Sequence, residues 1–101
     1  FSCMPRTIAD GVMVSSPGQL TERLCRRYLD DVITVTEDEL VETVLLLADQ
    51  HNIIVEGAGA LAATALPKVN AERKFAIVTG GNIDLQVFSE LVLSRSLQRV
   101  A

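Results

Sequence analysis

Residues Phe75 to Leu85 read FAIVTGGNIDL. With Lys74 in front, residues 74–79 form a continuous apolar run, the pattern of a parallel strand buried on both faces. Thr79, Gly80, Gly81 and Asn82 then give a turn signal. Leu85, Phe88, Leu91 and Val92 follow at the spacing of an amphipathic helix. A strand, a tight glycine turn and a helix make a βα unit, and ligands of open α/β sheets bind where such strands end. Thr79 stands at that edge, and Gly80 and Gly81 clear the space in front of it. The plainer alternative is a turn and nothing more, with Asn82 or Asp84 capping the helix.

The rest of the chain repeats the pattern. Asp31 to Thr36 (DVITVT) is β-branched and predicts a second strand, and Ile53 to Val55 a third, short one. Before the first of these, Ser16, Pro17 and Gln19 read as N-cap, first helical position and third position of a capping box. They open an amphipathic helix carrying Leu20, Leu24 and Tyr28 that runs to about residue 29. Thr36 and Glu39 form a second capping box, opening a helix to about Gln50, with Glu37, Asp38 and Glu39 in a first turn where the helix dipole favours negative charge. An Ala-rich helix spans about 58–66 and ends at Pro67. The expected class is therefore α/β, a partial parallel sheet with flanking helices, in one incomplete domain over 1–101. Two good strands and a weak one make a small sheet with open edges, as if made for a larger one.

Composition narrows the function. The chain has 101 residues, 49% of them hydrophobic and 22% charged, with a net charge of -4. That is globular composition, and an acidic balance argues against a nucleic-acid surface, which needs a basic patch. The densest basic cluster, Arg23 to Arg27 (RLCRR), has the spacing of a solvated helix face. Cys3 and Cys25 lack metal-ligand spacing, which fits a reduced, cytoplasmic chain. No apolar run approaches the roughly 20 residues of a membrane span. The chain opens on Phe1, which suggests a cut product or a piece of something longer.

Two glycine-rich turns are candidate ligand sites. Gly57-x-Gly59-x-x-Ala62 in EGAGALA matches a dinucleotide fingerprint. However, the ribose-binding acid that should follow about 20 positions on is out of place, and Glu56 would repel a pyrophosphate. Close packing of small residues against a strand explains the same glycines. The turn after Thr79 is the stronger candidate. His51, the sole histidine, sits near a helix C-terminus, where a cation is favoured. Asp30 and Asp31 are acidic without a paired-carboxylate pattern, and no metal site is expected.

Four stretches, TIADGV, DDVITVTEDEL, EGAGALAATAL and IVTGGNIDL, occur in the order and at about the spacing found in the PLP-dependent threonine/serine ammonia-lyases and related serine racemases. From about Thr7 to Leu85 the chain resembles the C-terminal part of the large domain of such a fold-type II enzyme. The resemblance implies that Thr79 and Gly80 face the pyridine nitrogen of pyridoxal 5'-phosphate, the hydroxyl being a neutral partner to it. It implies that Gly11 lies against one face of the ring. It also places Glu56 near the ring, although a cap on the Ala-rich helix would equally explain that residue. The family's Schiff-base lysine has a Phe-Lys setting that neither Lys68 nor Lys74 matches. Its tetraglycine phosphate loop and cation-binding acidic cluster are not in these residues either. No catalytic residue is therefore expected here, and cofactor binding by this chain alone should be weak or absent. The partners expected are the remainder of an enzyme chain, or a second copy meeting the open sheet edges, with an amino acid as substrate of the complete enzyme. Two alternatives stay open: a self-associating α/β module without enzymatic activity, and a nucleotide-binding domain using GAGALA.

Overall fold

The computed structural model describes residues 6–100. Four α-helices stand where the sequence predicts them: α1 over Gln19–Tyr28, α2 over Glu37–His51, α3 over Gly57–Ala65 and α4 over Leu85–Val100. Two 3-10 turns, Asp10–Val12 and Leu66–Lys68, precede α1 and follow α3.

The core lies between α2 and α3. Leu40, Val44 and Leu47, at i, i+4 and i+7 of α2, are buried together with Ala9, Val55 and Ala60. Phe88 and Leu91 of α4 pack against this cluster. Arg95 of α4 pairs with Glu42 of α2 and fixes the far end of the contact. Thr64 is buried with its hydroxyl donating to the Ala60 carbonyl at 2.9 Å, so its polar group is satisfied within its own helix.

Each helix end has a local cause. The capping box at α2 is complete: Glu39 N–H donates to Thr36 Oγ1 at 3.2 Å, and Thr36 N–H to Glu39 Oε2 at 2.7 Å. At its other end Asn52 takes a left-handed conformation with φ of 55°, and Ile53 N–H reaches the Leu47 carbonyl at 3.0 Å. Asp84, rather than Asn82, caps α4, its Oδ1 accepting from Gln86 N–H at 2.7 Å. The Ser16–Gln19 box expected at α1 does not form. Gly18 is the N-cap instead, in an extended conformation. A start at Pro17 would place Gly18 inside the first turn, where glycine costs about 1 kcal/mol against alanine; at the N-cap it is well tolerated. Cys25 is exposed on α1 and free, while Cys3 lies outside the described residues.

The predicted strands are the main departure. Residues 31–36, 53–55 and 74–79 connect the helices as expected, but among the described residues none carries a ladder. A ladder needs a partner segment in register alongside, and among the described residues none of these three segments forms one. Except for Val55, which is buried in the core, many of their apolar side chains face outward: Phe75 is 94% and Ile77 78% exposed. Leu20, Leu24 and Tyr28 of α1 are exposed too, on a helix that packs against no other helix among the described residues.

A lysine ties the lower end together. Lys68 Nζ donates to the Thr34 carbonyl at 2.9 Å and to Glu39 Oε2 at 2.8 Å. The Lys68 hydrogen bond, followed by that from the Thr36 backbone, holds the exposed Glu39 carboxyl below the ordinary glutamate range. A folded-state value below the unfolded one contributes stability that is present above the unfolded value and lost as pH falls through the folded one. In a Lys68→Met variant that contribution shrinks. Urea midpoints of variant and wild type are expected to differ at neutral pH and to converge in acid, with a smaller gap at high salt because the pair is exposed.

Candidate functional site

Three glycine-bearing stretches far apart in sequence meet around the N-terminus of α3. Glu56 N–H donates to the Gly80 carbonyl at 3.0 Å, and Thr79 N–H to the Gly59 carbonyl at 3.3 Å. These two bonds hold the turn after residue 79 against the start of the helix. Gly59 sits directly beneath the Thr79 carbonyl, and a Cβ there would fall onto that oxygen. Gly80 has φ of 70°, a backbone region that glycine enters without cost. A side chain at Gly80 would also strike the Glu56 carboxylate.

Glu56 is the N-cap of α3 by position, yet its side chain makes no capping bond. The carboxylate lies against Gly80 instead. Of the two explanations for this residue, the cap is not what the structure displays. Thr79 and Gly80 are both exposed at the end of the 74–79 segment.

Gly11 joins the group less directly. It lies in the 3-10 turn before α1, and a Cβ on it would come 3.1 Å from Ala58 Cβ. The same segment crosses Gly57, where an added Cβ would come 2.5 Å from the Ile8 carbonyl oxygen. Thr79, Gly80 and Glu56 are thus brought into contact, while Gly11 is linked to them through the first turn of α3.

A cavity of about 60 Å3 lies where the three stretches converge, lined by Ile8, Asp10, Glu56, Gly57, Asn82 and Asp84 among others. Asp84 was legible in the sequence as a cap residue, but nothing local announced that it shares a cavity with Asp10 and Glu56. Three carboxylates on one cavity make this region hostile to a phosphate dianion, and of the candidate residues only Glu56 lines it. Among the described residues no group of side chains is placed to hold a metal ion.

The geometry also bears on GAGALA. Gly57 and Gly59 are buried, one under the Ile8 carbonyl and the other under the Thr79 carbonyl. Both are occupied by internal backbone contacts, as the close-packing reading expects, rather than turned towards a ligand. A larger cavity of about 470 Å3 lies between α2 and α4, and none of the candidate residues lines it. The chain's two lysines are engaged elsewhere, Lys68 as above and Lys74 with the Leu66 carbonyl at 3.2 Å. His51 is exposed as the last residue of α2. No helix of the described residues is long and apolar enough to cross a membrane.

Comparison with known proteins agrees with these motifs. A profile of the family described as pyridoxal-phosphate dependent enzyme matches residues 2–80. L-threonine ammonia-lyase of Thermotoga maritima is 39% identical over 89 residues, which is 85% of this chain and 22% of that protein. Among solved structures, a threonine deaminase from T.th. superposes with a TM-score of 0.71 at 35% identity, covering 81% of this chain and 31% of that one. Serine racemase of Dictyostelium discoideum does so with a TM-score of 0.67 at 30% identity, covering 82% and 29%. The chain spans less than a third of the length of each.

Proposed function

Because the chain belongs to the pyridoxal-phosphate dependent enzymes, we propose that it forms the pyridine-ring side of the cofactor site in a fold-type II enzyme converting L-threonine or L-serine to a 2-oxo acid and ammonia. The observation that carries this reading is the meeting of Thr79, Gly80 and Glu56 at the start of α3, held by two backbone hydrogen bonds.

The residues suit the group. At Gly80 and Gly11 the place of a side chain is taken by the Glu56 carboxylate and Ala58, so both backbones sit close against the start of α3, and a planar ring would meet bare backbone there. Thr79 supplies a hydroxyl, which both donates and accepts, so it matches a ring nitrogen in either protonation state. Glu56 sets a carboxylate beside this turn. When bound, the cofactor supplies an electron sink for the bond broken at the substrate's Cα. Thr79 would hold the ring nitrogen without imposing a full positive charge on it, Gly11 would lie along one face, and Glu56 would orient the turn.

Neither lysine is placed to act at this site, since both amines are engaged by carbonyl or carboxylate groups elsewhere. On this reading the 101 residues alone perform no cofactor-dependent catalysis, and the remainder of a longer polypeptide covers the apolar faces of residues 74–79 and α1. The small core argues for that arrangement over a self-sufficient module.

The test is to compare these 101 residues with the longest polypeptide their reading frame encodes. With pyridoxal 5'-phosphate and L-threonine, the longer polypeptide is expected to release ammonia and a 2-oxo acid while the 101-residue chain releases neither. Turnover by the short chain would refute the division of labour, and a longer chain that takes up no cofactor would refute the site.

A further inference from the structure

We propose that Glu37 is a positioning residue for the ring face, holding the Gly11 segment in place from the first turn of α2. The inference rests on the reading of Gly11 given above and adds a residue to it.

Most hydrogen bonds of the segment stay inside it: Ala9 N–H to Thr7 Oγ1, Val12 N–H to the Ala9 carbonyl and Met13 N–H to the Asp10 carbonyl, each at 3.0 Å. They shape the 3-10 turn without fixing where it sits. Ala9, 1% exposed, anchors one point in the core. Among the described residues, the bond that leaves the segment runs from Ile8 N–H to Glu37 Oε2, at 3.0 Å across 29 residues of sequence. Its acceptor is a carboxylate oxygen, one of the stronger kinds of acceptor.

Glu37 can serve as a fixed point because its own place is determined. The capping box between Thr36 and Glu39 sets the start of α2, and burial of Leu40 and Val44 sets its rotation. With Ile8 held by Glu37, its carbonyl presses on Gly57, and Gly11 three residues on lies over Ala58. Two contacts on α3 and one bond to α2 thus locate the segment. Without the bond, the segment hinges on Ala9 and the glycine is free to drift relative to the ring plane.

An ordinary explanation of Glu37 is that a negative charge in a first turn complements the helix dipole. The two roles separate experimentally. In the longest encoded polypeptide, Glu37→Ala is compared with Asp38→Asn, which removes a charge from the same turn, and with Glu37→Gln, which keeps an acceptor. Two readouts are taken: hydrogen exchange at the Ile8 amide without cofactor, and the dissociation constant and absorption spectrum of added pyridoxal 5'-phosphate. Loss of one exposed charge-assisted bond is expected to make both exchange and dissociation constant rise about threefold to tenfold in Glu37→Ala. Glu37→Gln should recover most of this, and Asp38→Asn should leave both readouts at wild-type values.

Equal behaviour of Glu37→Ala and Asp38→Asn would reduce Glu37 to a helix-dipole charge and overturn the proposal. Faster Ile8 exchange with unchanged cofactor affinity and spectrum would overturn it as well, since the bond would exist without positioning the ring. If the wild-type polypeptide takes up no cofactor, the site reading fails and this inference falls with it. The Ile8 exchange would then still report whether the bond itself forms.

Discussion

Gly59→Ala is expected to destabilise the protein by about 3 kcal/mol, at the upper end of what overpacking a well-filled site costs. The direction is not obvious from the residue types. Gly59 lies inside α3, where alanine gains about 1 kcal/mol of helix propensity over glycine. The opposing term is steric, because the new Cβ would fall onto the backbone carbonyl of Thr79. A side chain in the way can turn aside, but a carbonyl moves only with its chain. Either α3 retreats, opening the core at Ala60 and Thr64, or the turn lifts and breaks the bond between Thr79 N–H and the Gly59 carbonyl. Both routes disturb the candidate site. Urea unfolding of the longest encoded polypeptide measures the outcome. A variant as stable as wild type, or more so, would mean that the turn does not rest on α3 as described.

Thr79→Val should produce the second large effect, on activity with little change in stability. The two side chains have nearly the same shape, and Thr79 is exposed at the end of its segment, so the fold should tolerate the change. What disappears is the hydroxyl. A hydrogen bond to the cofactor ring of about 1.4 kcal/mol, within the usual range for such bonds, corresponds to a tenfold change. A drop of about tenfold in cofactor affinity is therefore expected, together with a fall in kcat/KM of at least that size. Thr79→Ser should retain most of both. A loss in the serine variant with wild-type behaviour in the valine variant would indicate that the threonine methyl, rather than the hydroxyl, matters at this position.

What the sequence disclosed and what it withheld divide along the range of the interactions. The Thr36–Glu39 box and the Asp84 cap are interactions across three residues or fewer, and they were legible from residue type and spacing. Asn52 ends α2 in a left-handed conformation, a known habit of asparagine that the apolar pattern did not reveal. At α1, a proline and a serine suggested one start, while the glycine between proline and helix decided on another. The expected strands carry no ladder among the described residues, for a different reason. Apolar, β-branched runs record an environment, burial between neighbours, and the ladder itself depends on segments distant in sequence. The bond from Ile8 to Glu37 and that from Lys68 to Glu39 each span 29 residues, and nothing local announces either. For the site, Thr79, Gly80, Glu56 and Gly11 were all readable as motif residues, whereas their grouping around the first turn of α3 emerged only from the packing of Gly57 and Gly59.

The proposed site turns on whether Thr79 faces the ring nitrogen of the cofactor, and that can be tested at the nitrogen itself. The longest encoded polypeptide would be loaded with pyridoxal 5'-phosphate carrying nitrogen-15 in the ring, and the nitrogen resonance recorded for wild type and Thr79→Val. A hydrogen-bonded nitrogen without full protonation is expected in wild type, with a clear displacement of its signal in the variant. A signal that the variant leaves unmoved would remove Thr79 from the ring.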